Sequence, residues 1–345
     1  MIKYIQNKNI DFRLFEEKLT LTSQKNQYTN SGPAKKLLEK KLEDLLGISS
    51  DKSVLCVANG TLALHSIYIF LKKRYGNLKI ASPSFTFPSC VVGGYQVDTL
   101  DIENENYTIP LTAENIQKYD VFVITNLFGT FPNNINHWVK ACRENKKVLI
   151  FDNASSPLSE VEGINICNFG DFSFGSLHHT KYIGFGEGGF LVLPSHLYEE
   201  FESILGFGFK SSSKIRTHSV HSSNYKISDV TSAAVLQHLD RYDFKKHKQN
   251  QDCLLDEIEN IVGVEPFNYS EGVVYGNFPI LYNKIKSESS FLQDNIEAKK
   301  YYYPLSNHQN SMNLYNKIIN LPLHCQLEES DLEKIISSIK RSVDV

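Results

Sequence analysis

The sequence lacks the features that mark several common classes of protein. Its 36 basic and 39 acidic residues give a net charge of −3, so no basic excess points to nucleic acid or to an acidic membrane surface. No apolar run approaches the roughly 18 residues of a membrane span, and residues 1–19 lack the apolar core of a secretory signal peptide. We therefore expect a cytoplasmic, soluble protein.

Cysteine is sparse and scattered. None of the six cysteines forms a C-x-x-C pair, which excludes a zinc ribbon or an iron–sulfur cluster built from local ligands. His178 and His179 are adjacent, and adjacent side chains on a strand point to opposite faces, so they make a poor chelate. We expect no metal.

What the chain does contain is an alternation of short apolar runs and amphipathic stretches between Gly32 and Ser195. Buried strands interleaved with helices indicate a mostly parallel sheet covered on both faces, the α/β class. The predicted strands are 53–58, 78–83, 121–128, 148–154 and 188–194, and the predicted helices are 61–73 and 137–147.

The pattern changes after about residue 205. Residues 209–226 are polar and Ser-rich and predict a long loop, whereas 230–262 carry helical spacing. Short strands are predicted at 275–282 and 299–305, followed by a helix capped by Ser330 and Glu333. We interpret the chain as an N-terminal segment (1–29), a large domain (30–230) and a smaller α+β domain (231–345).

Two segments place polar groups where a predicted strand ends. Gly60 and Thr61 open a helix after a strand, which suits a phosphate, although a plain helix cap by Asn59 or Thr61 is the preferred explanation when this segment is considered alone. Asp152 ends the strand VLIFD, at the edge where open α/β sheets bind ligands. A carboxylate there can bind a cation, a ribose or a protonated ring nitrogen, or simply cap the following turn.

The segment SLHHTKYIGFGEGG (176–189) contains a formal G-x-G-x-x-G match. We reject a dinucleotide site because these glycines precede a strand instead of opening a helix. Lys181 remains, flanked by small and hydroxyl-bearing residues, either as a Schiff-base lysine or as a surface charge. Phe87 follows a strand and either stacks on a ligand ring or packs in the core.

Ten segments in this order resemble the DegT/StrS family of sugar aminotransferases, which are fold-type-I pyridoxal-phosphate (PLP) enzymes. The resemblance runs from about Tyr28 to the C-terminal helix. The segments are YTNSGP (28–33), NGTLALH (59–65), PSFTF (83–87), NLFGT (126–130), FDNAS (151–155), GDFSF (170–174), SLHHTKYIGFGEGG (176–189), NYKISDVTSAAVLQHLDRYD (224–243), KKYYYPL (299–305) and LPLH (321–324).

This resemblance implies a role for each matched residue. Lys181 would form the internal aldimine with PLP, and Asp152 would pair with the pyridinium nitrogen. The remaining cofactor contacts would be Gly60, Thr61 and Ser176 at the phosphate, Phe87 stacked on the ring, and Asn224 reaching the phosphate of the other subunit of a homodimer. Asn30, Tyr302 and His324 would border the sugar-nucleotide site.

One position departs from the family pattern. Ser155 stands where relatives carry Gln or His beside the ring hydroxyl of the cofactor, and its shorter side chain leaves that contact open.

The resemblance implies transfer of an amino group from L-glutamate to a nucleotide-linked keto sugar, with PLP alternating with pyridoxamine phosphate (PMP). Within the family, the segments NSGP, SLHHTK, NYK and YYYPL are most similar to those of enzymes that aminate dTDP-4-keto-6-deoxyhexoses. The product would be an amino sugar for O-antigen, another surface polysaccharide or a glycosylated metabolite. The alternatives are a C3-aminating relative, a dehydratase, or a non-catalytic PLP-binding regulator. Some dehydratases replace the lysine with histidine, whereas Lys181 is in register here. Only about 25 residues precede the first matched segment, too few for the winged helix of a regulator.

Overall fold

The computed structural model describes residues 1–209 and 221–343 and has a seven-stranded sheet at its centre. The strands in chain order are β1 (Lys52–Val57), β2 (Ile80–Pro83), β3 (Val97–Leu100), β4 (Val121–Thr125), β5 (Val148–Asp152), β6 (Glu160–Val161), β7 (Ile164–Asn165), β8 (Phe172–Ser176), β9 (Gly189–Pro194), β10 (Val264–Pro266), β11 (Phe278–Tyr282) and β12 (Ile318–Leu321). The large sheet has the order β1-β9-β8-β5-β4-β2-β3, and β6 and β7 form a separate hairpin.

Most of the large sheet is parallel. Strands β3, β2, β4, β5 and β8 run in the same direction, whereas β9 is antiparallel to both β1 and β8. The mostly parallel α/β class predicted from the sequence is confirmed, and all five predicted strands of this region are present.

Helices make up most of the other regular structure. They are α1 (Phe12–Lys25), α2 (Pro33–Leu45), α3 (Gly60–Tyr75), α4 (Ala113–Lys118), α5 (Ile135–Glu144), α6 (Tyr198–Leu205), α7 (Asp229–Arg241), α8 (Phe244–Ile258), α9 (Ser289–Leu292), α10 (Gln309–Lys317) and α11 (Glu329–Val343). Among the described residues, no helix is long and apolar enough to cross a membrane.

Both faces of the sheet are buried, as β4 illustrates. Val121 and Val123 belong to one apolar cluster with Leu64 of α3, whereas Phe122 belongs to a second cluster with Trp138 of α5. Because successive strand residues point to opposite faces, this division shows why β4 has a continuous apolar sequence. It also leaves the strand ends as the place where polar groups can collect.

The C-terminal part contains the antiparallel sheet β10-β11-β12. The strand predicted at 275–282 is present as β11, but the one predicted at 299–305 is wrong: Lys299 makes only an isolated bridge to Asn320, and residues 301–305 are irregular. Of the aromatic side chains that suggested a strand, those of Tyr301 and Tyr302 instead line a cavity described below.

The helical stretch 230–262 is divided into α7 and α8, and the Asp243 carboxylate caps α8 by accepting the Lys246 amide at 2.8 Å. The capping box predicted at Ser330 and Glu333 is wrong, because α11 begins at Glu329 and the Asp331 carboxylate accepts the Glu328 amide. Of the predicted loop 209–226, residues 210–220 lie outside the described residues.

The N-terminal and C-terminal parts share contacts and a core. Ile2 pairs with Ile296, and α1 packs against α7. One apolar cluster contains residues of both parts, among them Ala81 and Ile339. The boundaries at residues 30 and 231 therefore stay a prediction.

Candidate active site

A cavity of about 660 Å³ opens at the carboxyl ends of the parallel strands. It contains every predicted site residue except Asn30 and Asn224: Gly60, Thr61, Phe87, Asp152, Ser155, Ser176, Lys181, Tyr302 and His324 all line it. Residues from widely separated segments thus meet in one place, as the strand-end argument predicted.

The start of α3 lines the cavity. The Asn59 side chain caps this helix by accepting the Leu62 amide at 2.9 Å. The amides of Gly60 and Thr61, in the first turn, have no carbonyl partner within the helix. A Cβ at Gly60 would lie 3.3 Å from Ser176 Cβ, so glycine lets the end of β8 approach the helix start. The cap interpretation is correct for Asn59, and it leaves two amides free for an anion.

Asp152 is buried at the end of β5, with 5% of its surface exposed. Its Oδ1 accepts the Ala154 amide at 2.9 Å, so the turn-capping role also exists. Burial raises the pKa of this carboxyl to about 6, while the Ala154 hydrogen bond and the charge of Lys181 act in the opposite direction. A buried carboxylate of this kind favours a cationic or N–H partner in the cavity.

Lys181 lies in the turn between β8 and β9. Its amide donates to His178 O at 2.8 Å, and the Gly184 amide donates to Lys181 O at 2.9 Å. Among residues 1–209 and 221–343, no carboxylate forms an ion pair with Lys181. Its ammonium therefore shares the cavity with Asp152 without being neutralised by a direct contact.

The two neighbouring histidines separate. His178 lines the cavity and lies 3.4 Å from the Glu187 carboxylate, whereas His179 packs edge-on against Phe185 at 5.6 Å. In the part of the chain that the structure describes, no group of three His, Cys, Asp or Glu side chains could hold a metal ion.

An aromatic wall forms one side of the cavity. Phe87 is 55% exposed, so the interpretation of Phe87 as a core residue is wrong. Its ring lies 6.1 Å from that of Tyr302, which stacks on Phe128 at 5.8 Å. The Tyr302 hydroxyl lies 3.4 Å from Ser155 Oγ.

The cavity lining carries three buried polar atoms that have no partner among the described residues. They are Tyr4 Oη, Asn277 Oδ1 and His324 Nδ1, although His324 Nε2 lies 3.1 Å from Lys3 O. Since buried polar atoms normally pair, these atoms suit a ligand with several hydroxyl groups.

Residues 12–340 match the model of the DegT/DnrJ/EryC1/StrS aminotransferase family. The chain belongs to this family. Its relatives include a dTDP-4-amino-4,6-dideoxy-D-glucose transaminase of Shigella dysenteriae, 26% identical over 93% of this chain and 94% of the relative. Family membership makes the protein a PLP-dependent aminotransferase.

Two solved structures show the same fold. The Helicobacter pylori aminotransferase PseC, involved in the biosynthesis of pseudoaminic acid, has a TM-score of 0.84 at 18% identity, with 99% of each chain covered. A DegT DnrJ EryC1 StrS aminotransferase from Brucella abortus has a TM-score of 0.81 at 20% identity, with 96% of this chain and 95% of that chain covered. The fold-type-I architecture implied by the sequence resemblance is confirmed.

The residues of the cavity fit PLP. The free amides at the start of α3 suit a phosphate dianion, and a Cβ at Gly60 would intrude on the contact with β8. The buried carboxyl of Asp152 suits a protonated ring nitrogen, and the exposed face of Phe87 is available for stacking. Lys181 adds a primary amine within the same cavity.

Asn30 and Asn224 lie elsewhere. Both are exposed, and the backbone of Asn224 bridges to Gly206 at the C-terminal end of α6. Neither lines the cavity of its own chain. The expectation that Asn224 serves a neighbouring subunit stays a prediction.

Sequence reasoning missed Tyr4, Lys8 and Asn277, which also line the cavity. Tyr4 and Lys8 precede the first matched segment, and Asn277 falls between two of them. No local pattern marks them, since only the folded chain brings residues 4–8 beside the turn that carries Lys181.

Proposed function

We propose that this aminotransferase moves the amino group of L-glutamate to a nucleotide-linked keto sugar, with dTDP-4-keto-6-deoxyhexose as the first candidate. The observation that carries the proposal is that Lys181 and the buried Asp152 line one cavity, with the free amides of Gly60 and Thr61 at its edge. The product would be an amino sugar for O-antigen or another surface polysaccharide, made in the cytoplasm by a homodimer.

The choice of substrate is supported by the Shigella dysenteriae transaminase, which this chain matches along nearly its whole length. The unpartnered polar atoms of Tyr4, Asn277 and His324 add independent support. They offer one hydroxyl, one carbonyl and one ring nitrogen in the cavity lining, which suits the hydroxyl groups of a hexose.

Each residue then has a distinct task. PLP, when bound, supplies the electron sink and carries the amino group between the two substrates. Asp152 keeps the ring nitrogen protonated, and Phe87 orients the ring. Gly60, Thr61 and Ser176 hold the phosphate. Lys181 Nζ takes the proton from the amine-bearing carbon of glutamate and later delivers a proton to the carbonyl carbon of the sugar.

The first experiment is an absorbance spectrum of the purified protein with PLP, before and after addition of L-glutamate. We expect a visible band of lysine-bound cofactor that glutamate converts to the spectrum of PMP. Lys181→Ala should lose the band. Lys299→Ala, which removes another lysine of the cavity lining, should keep it. A band that survives in Lys181→Ala would contradict the assignment of Lys181.

The second experiment identifies the sugar. The holoenzyme is incubated with glutamate and, in turn, the dTDP-, UDP- and GDP-linked 4-keto-6-deoxyhexoses, and the products are analysed by NMR. Amination at C4 of the dTDP sugar supports the proposal. Amination at C3, or a deoxygenated product, would assign one of the alternative reactions. Absence of turnover with every sugar, despite a normal cofactor spectrum, would favour the regulator.

A further inference from the structure

The turn that carries Lys181 has three backbone carbonyls directed at one ammonium group. Lys8 Nζ donates to His179 O at 2.8 Å, to Lys181 O at 2.5 Å and to Gly184 O at 2.6 Å. A lysine ammonium has three donors, so each is satisfied by a carbonyl of the same turn. We name this arrangement the Lys8 carbonyl site: Lys8 Nζ with the carbonyls of His179, Lys181 and Gly184.

Lys8 is held there without a counter-ion. Among residues 1–209 and 221–343, no carboxylate forms an ion pair with it. Burial lowers the pKa of its ammonium to about 7, whereas carbonyl acceptors favour the charged form. The side chain of Lys8 is part-buried, and a lysine removed from water is normally paired with an acid. The carbonyl dipoles take that place here, and the arrangement therefore resembles a site for a monovalent cation more than an ion pair.

The rest of the turn has little freedom to compensate for a loss of Lys8. His238 of α7 contacts the turn from another element, with Nε2 2.7 Å from Tyr182 O. A Cβ at Gly184 would come within 2.3 Å of the carbonyl oxygens of Leu177 and His178, so the chain is tightly folded there. Without Lys8, the carbonyls of His179 and Gly184 would lose their donor and Lys181 O would keep only the Gly184 amide, which costs free energy and favours opening of the turn.

We propose that Lys8 is a positioning residue for Lys181. The Lys8 ammonium takes the place of a bound cation and holds the carbonyls of the turn together. It thereby fixes the backbone from which the Lys181 side chain enters the cavity. The role in catalysis rests on the proposed function. The cation-like character of the Lys8 carbonyl site does not. It follows that a free monovalent cation can substitute for the ammonium when the side chain is shortened.

The test compares Lys8→Ala, which leaves space for an ion, with Lys8→Met, which fills the space without charge. Lys3→Ala is the matched control, because Lys3 belongs to the same segment but pairs with Glu297 on the surface. The primary measurement uses the apoprotein: the rate of trypsin cleavage at the Lys181–Tyr182 bond, followed by mass spectrometry. The salts compared at equal ionic strength are ammonium, potassium and N-methyl-D-glucamine chloride.

We expect cleavage at Lys181–Tyr182 to be about tenfold faster in both Lys8 variants than in the wild type, from loss of charge-assisted hydrogen bonds. Ammonium or potassium should slow cleavage of Lys8→Ala, and N-methyl-D-glucamine, which is too large for the site, should not. Lys8→Met should not respond to any of the salts. The rate at which PLP produces its lysine-bound absorbance band should follow the same order.

Wild-type cleavage rates in Lys8→Ala, or equal protection by all three salts, would overturn the proposal. If Lys8→Ala does not fold, Lys8→Met decides, because a wild-type cleavage rate in that variant would show that the charge is not needed. The trypsin assay needs no cofactor. Failure of the wild type to bind PLP would therefore contradict the proposed function while leaving a cation-dependent result for Lys8→Ala intact.

Discussion

The hydroxyl of Tyr302 lies 3.4 Å from Ser155 Oγ, although 147 residues separate them in the chain. The Tyr302 ring is fixed by stacking on Phe128, and both hydroxyls line the cavity. By the sequence resemblance, Ser155 stands where relatives have a longer side chain for the ring hydroxyl of the cofactor. The Tyr302 hydroxyl lies beside Ser155, so we expect Tyr302 to compensate for its short side chain.

This pair predicts a coupled effect on cofactor binding. Tyr302→Phe and Ser155→Ala should each weaken PLP binding by about two- to tenfold, the range of one neutral hydrogen bond. The double variant should be little worse than either single variant. PLP titration of the apoproteins by absorbance measures this. Tyr303→Phe is the control, because Tyr303 is exposed and does not line the cavity. Strictly additive losses would show that the two hydroxyls act independently.

Asp152 predicts a pH-dependent stability of the apoprotein. Its folded pKa of about 6 exceeds the ordinary value of 3.8, so the folded state holds its proton more tightly than the unfolded state does. The stabilisation is complete below pH ~4 and is lost as the pH rises through ~6, by about 3 kcal/mol in total. Urea unfolding of wild type and Asp152→Asn across this range measures it. The difference between the two proteins removes contributions from other carboxyls, and a difference independent of pH would refute the prediction.

The alternation of apolar runs predicted five of the seven strands of the central sheet, because strands such as β4 are buried on both faces. It could not give the direction of β9, since an apolar run is the same in either orientation. Strand β3 was missed because VDTL is partly exposed and polar, and β8 was missed because FSFGS is short and interrupted by serine and glycine. The strand predicted at 299–305 was wrong. Tyr302 is held by side-chain contacts with Phe87 and Phe128, and not by the backbone hydrogen-bond ladder of a strand.

The residues of the candidate site were predictable where their role depends on a position at the end of a strand or the start of a helix. Asp152 at a strand end and Gly60 at a helix start follow from the topology of an open sheet. Lys8 and Tyr4 were not predictable, because their roles depend on contacts with residues more than 100 positions away. Tyr4 approaches Tyr301, and Lys8 contacts the turn that carries Lys181.

The position of Thr61 at the start of α3 predicts a loss of PLP affinity that depends on the phosphate group of the cofactor. Thr61→Val should weaken PLP binding by about tenfold or more, the range of a hydrogen bond to a charged group, and should leave binding of pyridoxal, which has no phosphate, nearly unchanged. As a second measurement, inorganic phosphate should compete with PLP less effectively in Thr61→Val than in the wild type. Thr20→Val, which changes an exposed threonine of α1, is the control. Equal losses for PLP and pyridoxal would indicate a general distortion of the cavity instead.

Asn224 predicts active sites shared between two subunits, because it is exposed and lies outside the cavity of its own chain. Lys181→Ala should be inactive, and Asn224→Ala should be strongly impaired if it holds the phosphate in the neighbouring subunit. In a twofold-symmetric dimer, the residues of one site would come from both chains.

Mixing and reassociating the two variants then creates hybrids in which one site has both native residues. Random reassociation should restore about one quarter of the wild-type activity. Lys181→Ala mixed with Asn30→Ala is a further comparison, since Asn30 is also exposed outside the cavity. If the mixture of Lys181→Ala and Asn224→Ala has only the average activity of its components, Asn224 does not act across a subunit boundary, and a local role beside Gly206 would account for it.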